Sequence, residues 1–104
     1  PNWELGVAMQ VLGRDKLEKF STKHADAKPS LDAWFSEVSS KSCLWQTPQD
    51  IKQRYASASF LADNRVIFNI KGNSYRLVVK VRYQNGLVVI EWLGTHAEYD
   101  KQSF

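Results

Sequence analysis

The chain has 104 residues, of which 43% are hydrophobic and 24% charged, with a formal net charge of +3. That is enough for one small core and excludes two domains. No apolar run approaches the roughly 20 residues of a membrane-spanning helix, and no charged-then-apolar leader opens the sequence. One cysteine, Cys43, and two distant histidines, His24 and His96, exclude an intrachain disulfide framework and a local metal motif. The expectation is a cytoplasmic chain with no cofactor, no bound metal and no membrane attachment.

In chain order, residues 1–8 show no period, and the only methionine is Met9. They are expected to be a cloning remnant, an upstream in-frame extension or a disordered lead, with one folded domain over residues 9–100 and a tail over 101–104. Residues 9–12 suggest a short strand. Residues 14–27 suggest a helix, with Leu17, Phe20, Ala25 and Ala27 forming a rough stripe. Pro29 and Asp32 mark a second helix start, and Leu31, Trp34, Phe35 and Val38 recur at i, i+3, i+4, i+7. Thr47, Pro48 and Asp50 form a near capping box that starts a third helix, which carries Ile51 and Tyr55 to the core. Residues 57–64 are expected to be loop.

The period then changes from helical to alternating. Residues 66–70, 74–83 and 87–94 predict three strands, joined by two-residue turns at Gly72-Asn73 and Asn85-Gly86. The fold class is α+β: a short N-terminal strand and two to three helices packed on a three- to four-stranded antiparallel sheet.

Charge is concentrated in these strands. Residues 64–90 hold Arg65, Lys71, Arg76, Lys80 and Arg82 and no acid, whereas residues 1–63 balance to zero. Such a patch attracts polyanions despite the modest total. Two-residue turns would set Asn69 against Arg76, Arg82 against Val89, Lys80 against Glu91 and Arg76 against Thr95. Asn69, Lys71, Arg76, Lys80 and Arg82 then share one face. Phe68, Ile70, Tyr75, Leu77, Val79, Val81, Val88, Ile90 and Trp92 share the other, beneath the helices. On this register Lys80 is explained by an ion pair with Glu91. Arg76 and Arg82 have no acidic partner and suit phosphate, which a guanidinium grips with two hydrogen bonds. His96 would fall beside Tyr75 unless a bulge at Gly94 re-aimed it toward the basic face.

Read as one string, the C-terminal half is specific. The segment Asn64-Arg65-Val66-Ile67-Phe68-Asn69, the Gly72-Asn73 turn, Tyr75-Arg76-Leu77 and the ending Gly94-Thr95-His96-Ala97-Glu98-Tyr99-Asp100 resemble the HigB toxins of bacterial type II toxin–antitoxin modules, in the RelE/ParE-like superfamily. Leu31, Ala33-Trp34 and Thr47-Pro48 extend the resemblance back toward Met9. Residues 40–45 depart from it as a somewhat longer loop. The resemblance implies a small microbial-ribonuclease-like fold, ribosome-dependent cleavage of messenger RNA and a HigA-type helix-turn-helix antitoxin as partner. It implies a site built from Arg76, Lys80, His96 and Tyr99, with Arg82, Lys71, Asn69 and Asp100 holding RNA.

A metal-free ribonuclease needs a base for the 2′-OH, positive charge for the phosphorane-like transition state and an acid for the leaving 5′-oxygen. Arg76 and Arg82 suit the charge, His96 the base or acid, and Tyr99 stacking or proton donation. Glu98 and Asp100 would orient His96 or form a solvated terminal turn. One rival is a toxin of this fold that inhibits a gyrase-like protein without chemistry. A second is a simple RNA-binding module, which would interleave aromatic residues with the arginines. With Tyr75, Tyr83 and Trp92 assigned to the apolar side, the ribonuclease ranks first.

Overall fold

The computed structural model describes residues 9–104. The expectation that residues 1–8 are dispensable concerns a segment outside the described residues. The elements run β1 (Gln10–Leu12), α1 (Arg14–Lys23), a 3₁₀ turn (Ala25–Ala27), α2 (Lys28–Val38), α3 (Pro48–Arg54), β2 (Ser59–Leu61), β3 (Arg65–Ile70), β4 (Tyr75–Arg82), β5 (Leu87–Thr95) and α4 (His96–Tyr99). The α+β class stands, and the sheet is larger than expected.

The helices form where amphipathic stripes and start signals coincide. In α2, Leu31, Trp34 and Val38 are buried, with Pro29 in the first turn. At the start of α3 the Asp50 carboxylate accepts the backbone N–H of Gln46 at 2.9 Å and of Thr47 at 3.1 Å, so donors that the helix leaves unpaired are satisfied. Trp34 meets Phe68 edge-on at 5.5 Å between centroids, and Trp45, from the longer 40–45 loop, stacks on it at 5.9 Å. Phe68 is 1% exposed, and burial of such a ring contributes roughly 1.5–3 kcal/mol.

Five strands form one sheet in the order β1-β5-β4-β3-β2. All pairs are antiparallel except the outermost β1, which runs parallel to β5 with Val11 against Val88. A parallel neighbour requires a long connection, here most of the chain. The segment expected to be loop contains β2, whose Ser59 pairs with Ile67. Three residues are too few to show a period.

The register corrects the two-residue turn at Asn85-Gly86. The hairpin closes with Arg82 opposite Leu87, around a loop in which the Asn85 N–H donates to the Arg82 carbonyl and Gly86 takes φ 66°. Four residues thus connect the strands, a common loop length built around a type I turn. The slip relative to expectation is two residues, so it leaves side-chain faces unchanged: Val88 and Ile90 lie in the core as expected. Partners do change. Lys80 faces Val89, not Glu91.

A second irregularity does flip faces. Val79 pairs with Ile90 and Val78 with Trp92, so β5 bulges at Glu91. The bulge falls there, not at Gly94. Beyond it Arg76 faces Gly94 and Tyr75 faces Thr95. Trp92 therefore leaves the core face and joins the Arg76–Lys80 face, contrary to the simple alternation.

Candidate functional site

The face away from the helices carries Arg76, Lys80 and Arg82 along β4 and Asn69, opposite Arg76, on β3. Its C-terminal end is closed by α4. The local sequence explains why the chain turns there. The Thr95 hydroxyl accepts the Glu98 N–H at 3.1 Å, and a Glu98 carboxylate oxygen accepts the Thr95 N–H at 2.8 Å. This reciprocal capping box starts a helical turn directly from the strand end. It holds the Glu98 carboxyl below the ordinary glutamate range, chiefly through the Thr95 backbone N–H. Glu98 is thereby committed to the cap and does not orient His96.

The turn puts His96 and Tyr99, at i and i+3, beside Arg76. An Arg76 guanidinium nitrogen lies 3.1 Å from His96 Nε2. A guanidinium has no acceptor, so Arg76 donates, His96 Nε2 accepts, and the ring proton belongs on Nδ1. The Arg76 guanidinium also sits over the Tyr99 ring, 4.7 Å from its centroid, a cation–π contact. Asp100 approaches His96 Nε2 at 3.9 Å. Arg76 Nε is buried with no hydrogen-bond partner among the described residues. A buried donor left unpaired is costly and favours an incoming acceptor.

Four of the expected residues thus meet: Arg76, His96, Tyr99 and Asp100. Lys80 and Arg82 lie on the same face but farther along β4, about 13 and 20 Å from Arg76 at the rise of a strand. Neither has an ion-pair partner among the described residues. The Glu91 carboxylate instead accepts from Arg65 Nε at 2.7 Å, because the four-residue loop of the hairpin sets Lys80 against Val89. Asn69 donates weakly to the Ser57 carbonyl at 3.4 Å.

Lys71 does not join this face. With φ 52° it leaves the strand alternation, and its ammonium meets Asp26 of the 3₁₀ turn at 2.8 Å. Asp26 also accepts the Tyr75 hydroxyl at 2.6 Å. The two bonds, Lys71 foremost, hold the Asp26 carboxyl below its usual value. Lys71 therefore joins the hairpin to the helices, and an RNA contact from it is unsupported.

Sequence reasoning missed Trp92 on this face. Its ring meets Tyr99 and Phe104, each at 6.0 Å between centroids, and lies across the backbone at Gly94, where a Cβ would collide with the indole. The available signals were the Thr95–Glu98 capping pattern and Gly94 two residues after a tryptophan.

The family model for the HigB toxin, the RelE-like toxic component of a toxin–antitoxin system, matches residues 27–102. The chain belongs to the HigB toxin family. The match spans α2 through α4, and therefore includes Arg76, Trp92, His96, Tyr99 and Asp100. As a HigB-like toxin the chain is the toxic half of a two-component system, with an antitoxin as its partner. No curated protein matched the chain. No helix among the described residues is long and apolar enough to cross a membrane.

Proposed function

We propose that this HigB-like toxin is an mRNA interferase, a metal-free endoribonuclease that cuts messenger RNA on the translating ribosome in the cytoplasm and is neutralised by a HigA-type helix-turn-helix antitoxin. The observation that carries this reading is the convergence of Arg76, His96 and Tyr99 at the end of an open basic sheet face.

The chemistry follows from those groups. The 2′-oxygen attacks the adjacent phosphorus, the O2′–P bond forms and the P–O5′ bond breaks, leaving a cyclic phosphate and a 5′-hydroxyl. An arriving phosphate offers Arg76 a stronger acceptor than an imidazole, since charge-assisted pairs are the stronger ones. His96 Nε2 is then released to take the 2′-OH proton, and Arg76 faces the charge that builds on the phosphoryl oxygens. In this reading the Tyr99 hydroxyl returns a proton to the leaving 5′-oxygen. Lys80, Arg82 and Asn69 extend the track for the backbone. Asp100 faces the imidazolium that forms.

A second reading, a single-strand RNA-binding module, gains from Trp92, because that class interleaves aromatic and basic side chains. One experiment separates the two. Purified toxin is added to a translation extract programmed with a defined message, and new 5′ ends are mapped. Cleavage by the wild type, its loss in Arg76→Ala and its suppression by co-purified antitoxin support the interferase. Translation blocked with no new 5′ ends overturns it in favour of the binder.

A further inference from the structure

We infer that Trp92 is a base-stacking residue, the wall of a nucleobase site formed with Tyr99 beside Arg76; this rests on the ribonuclease reading and names a contact to its single-stranded RNA substrate. Three observations converge. First, the bulge in β5 puts Glu91 and Trp92 on one face, and that face is opposite the helices. Trp92 is outside the main core and half-buried. Second, its ring lies over Gly94, the residue directly opposite Arg76 in the ladder. The indole edge therefore fills the space a side chain at Gly94 would take, which brings the ring against the strand directly opposite Arg76 and within reach of the Tyr99 ring.

Third, the charges around this position leave it suited to a polyanion with flat bases. The nearby carboxylates are engaged: Glu91 by Arg65 and Glu98 by the Thr95 N–H, while Asp100 lies on the His96 side. Arg76 supplies a phosphate contact, and the aromatic rings supply π faces that any base can stack on. Phe104, 42% exposed, stacks on Tyr99 at 5.9 Å and 15°, so Tyr99 accepts a coplanar ring in this setting.

The alternative is that Trp92 only shields Ile67 and Val78, which are buried on this face. The two roles separate on ring chemistry. Affinity for single-stranded ten-nucleotide uridine and adenosine oligoribonucleotides is measured for wild type, Trp92→Phe and Trp92→Leu, with thermal melts on each. Leucine keeps apolar cover and loses the π face. Stacking predicts that Trp92→Leu binds about tenfold or more weakly at similar melting temperature, and that Trp92→Phe recovers much of the loss. Equal affinity for the leucine and phenylalanine variants, or no oligonucleotide binding by the wild type, overturns the assignment. Loss of antitoxin binding with RNA affinity intact also overturns it, in favour of a protein-docking role. Cleavage in the translation extract, run in parallel, tests the ribonuclease reading separately: a wild type that cleaves while Trp92→Leu matches it in affinity and rate refutes the stacking role alone.

Discussion

Glu91 binds Arg65 at 2.7 Å and leaves Lys80 without that partner. The simple hairpin register predicts the reverse. Arg65 is therefore the structural arginine of the basic face, clamped by Glu91 and near Asp63 at 3.8 Å. Lys80, facing neutral Val89 on one side and Arg65 on the other, is a charge with no local explanation among the described residues.

That exchange of roles is measurable. Lys80→Ala should leave the melting temperature within about 2–4 °C, because substitution of a half-buried surface lysine with no ion-pair partner shifts stability by about 0.5 kcal/mol or less. It should weaken RNA or ribosome binding and reduce the slope of log affinity against log salt by about one, as for a lost phosphate contact. Arg65→Ala should lower thermal stability instead. An unchanged salt slope for Lys80→Ala would remove it from the RNA track.

His96 and Tyr99 make a different kind of test. Both sit on a single helical turn at the surface, outside the core. His96→Gln should fold with nearly wild-type stability and cleave message about 100-fold or more slowly, the usual contribution of a positioned acid–base group. Tyr99→Phe keeps the ring under the Arg76 guanidinium and removes only the hydroxyl. Loss of cleavage there indicates proton donation, whereas retention leaves stacking as its role. If both variants cleave normally at equal folded concentration, the chemistry rests on the basic strand alone.

Acid should loosen the link between hairpin and helices. The Asp26 carboxyl is held below its usual value by Lys71 and Tyr75. A depressed folded value means that the carboxylate stabilises the fold at neutral pH, and that this contribution is lost as pH falls through the unfolded value near 3.9 and on through the folded one. Glu98 acts in the same direction through the Thr95 N–H. Thermal melts from pH 7 to pH 3 should show wild type losing more stability in acid than Asp26→Asn, which has no charge to lose. Parallel curves for the two proteins would refute the role of Asp26.

Much of the fold was legible because its signals are local. The α2 stripe, the Thr47–Asp50 start of α3 and the alternation of β4 each appear within about ten residues. The Asn69–Arg76 pairing also held, because the Gly72-Asn73 hairpin keeps the expected register. What failed depended on counting across the second hairpin. A four-residue loop changed partners without changing faces, so Val88 and Ile90 were placed correctly while Lys80 acquired the wrong neighbour. The bulge at Glu91 then reversed the faces, which misplaced Trp92. No short-range pattern reports a bulge directly. Lys71 escaped because its positive φ takes it off the strand, and its partner Asp26 lies 45 residues away. The site itself was reached through the family resemblance more than through spacing, although the Thr95–Glu98 capping box would have predicted the turn that gathers His96 and Tyr99.

Gly94 links the fold to the site and yields the sharpest stability test. A Cβ at Gly94 would overlap the Trp92 indole and come within 3.1 Å of Glu98 Oε1. The backbone there needs no glycine for its dihedral angles, so the requirement is one of space. Gly94→Ala must displace the Trp92 ring or push the capping carboxylate, and overpacking of this kind costs about 1–3 kcal/mol. For a chain of this size that is a fall of several degrees in melting temperature. Both movements also reach the site: the first opens the wall beside Tyr99, and the second loosens the cap that holds His96 against Arg76. Gly94→Ala should therefore lose cleavage beyond what its folded fraction explains. The double variant Gly94→Ala/Trp92→Leu relieves the collision, so it should recover stability relative to the single variant without recovering RNA affinity. A Gly94→Ala protein as stable as wild type would mean that the indole lies elsewhere in solution, and the geometry drawn for Trp92 would fall with it.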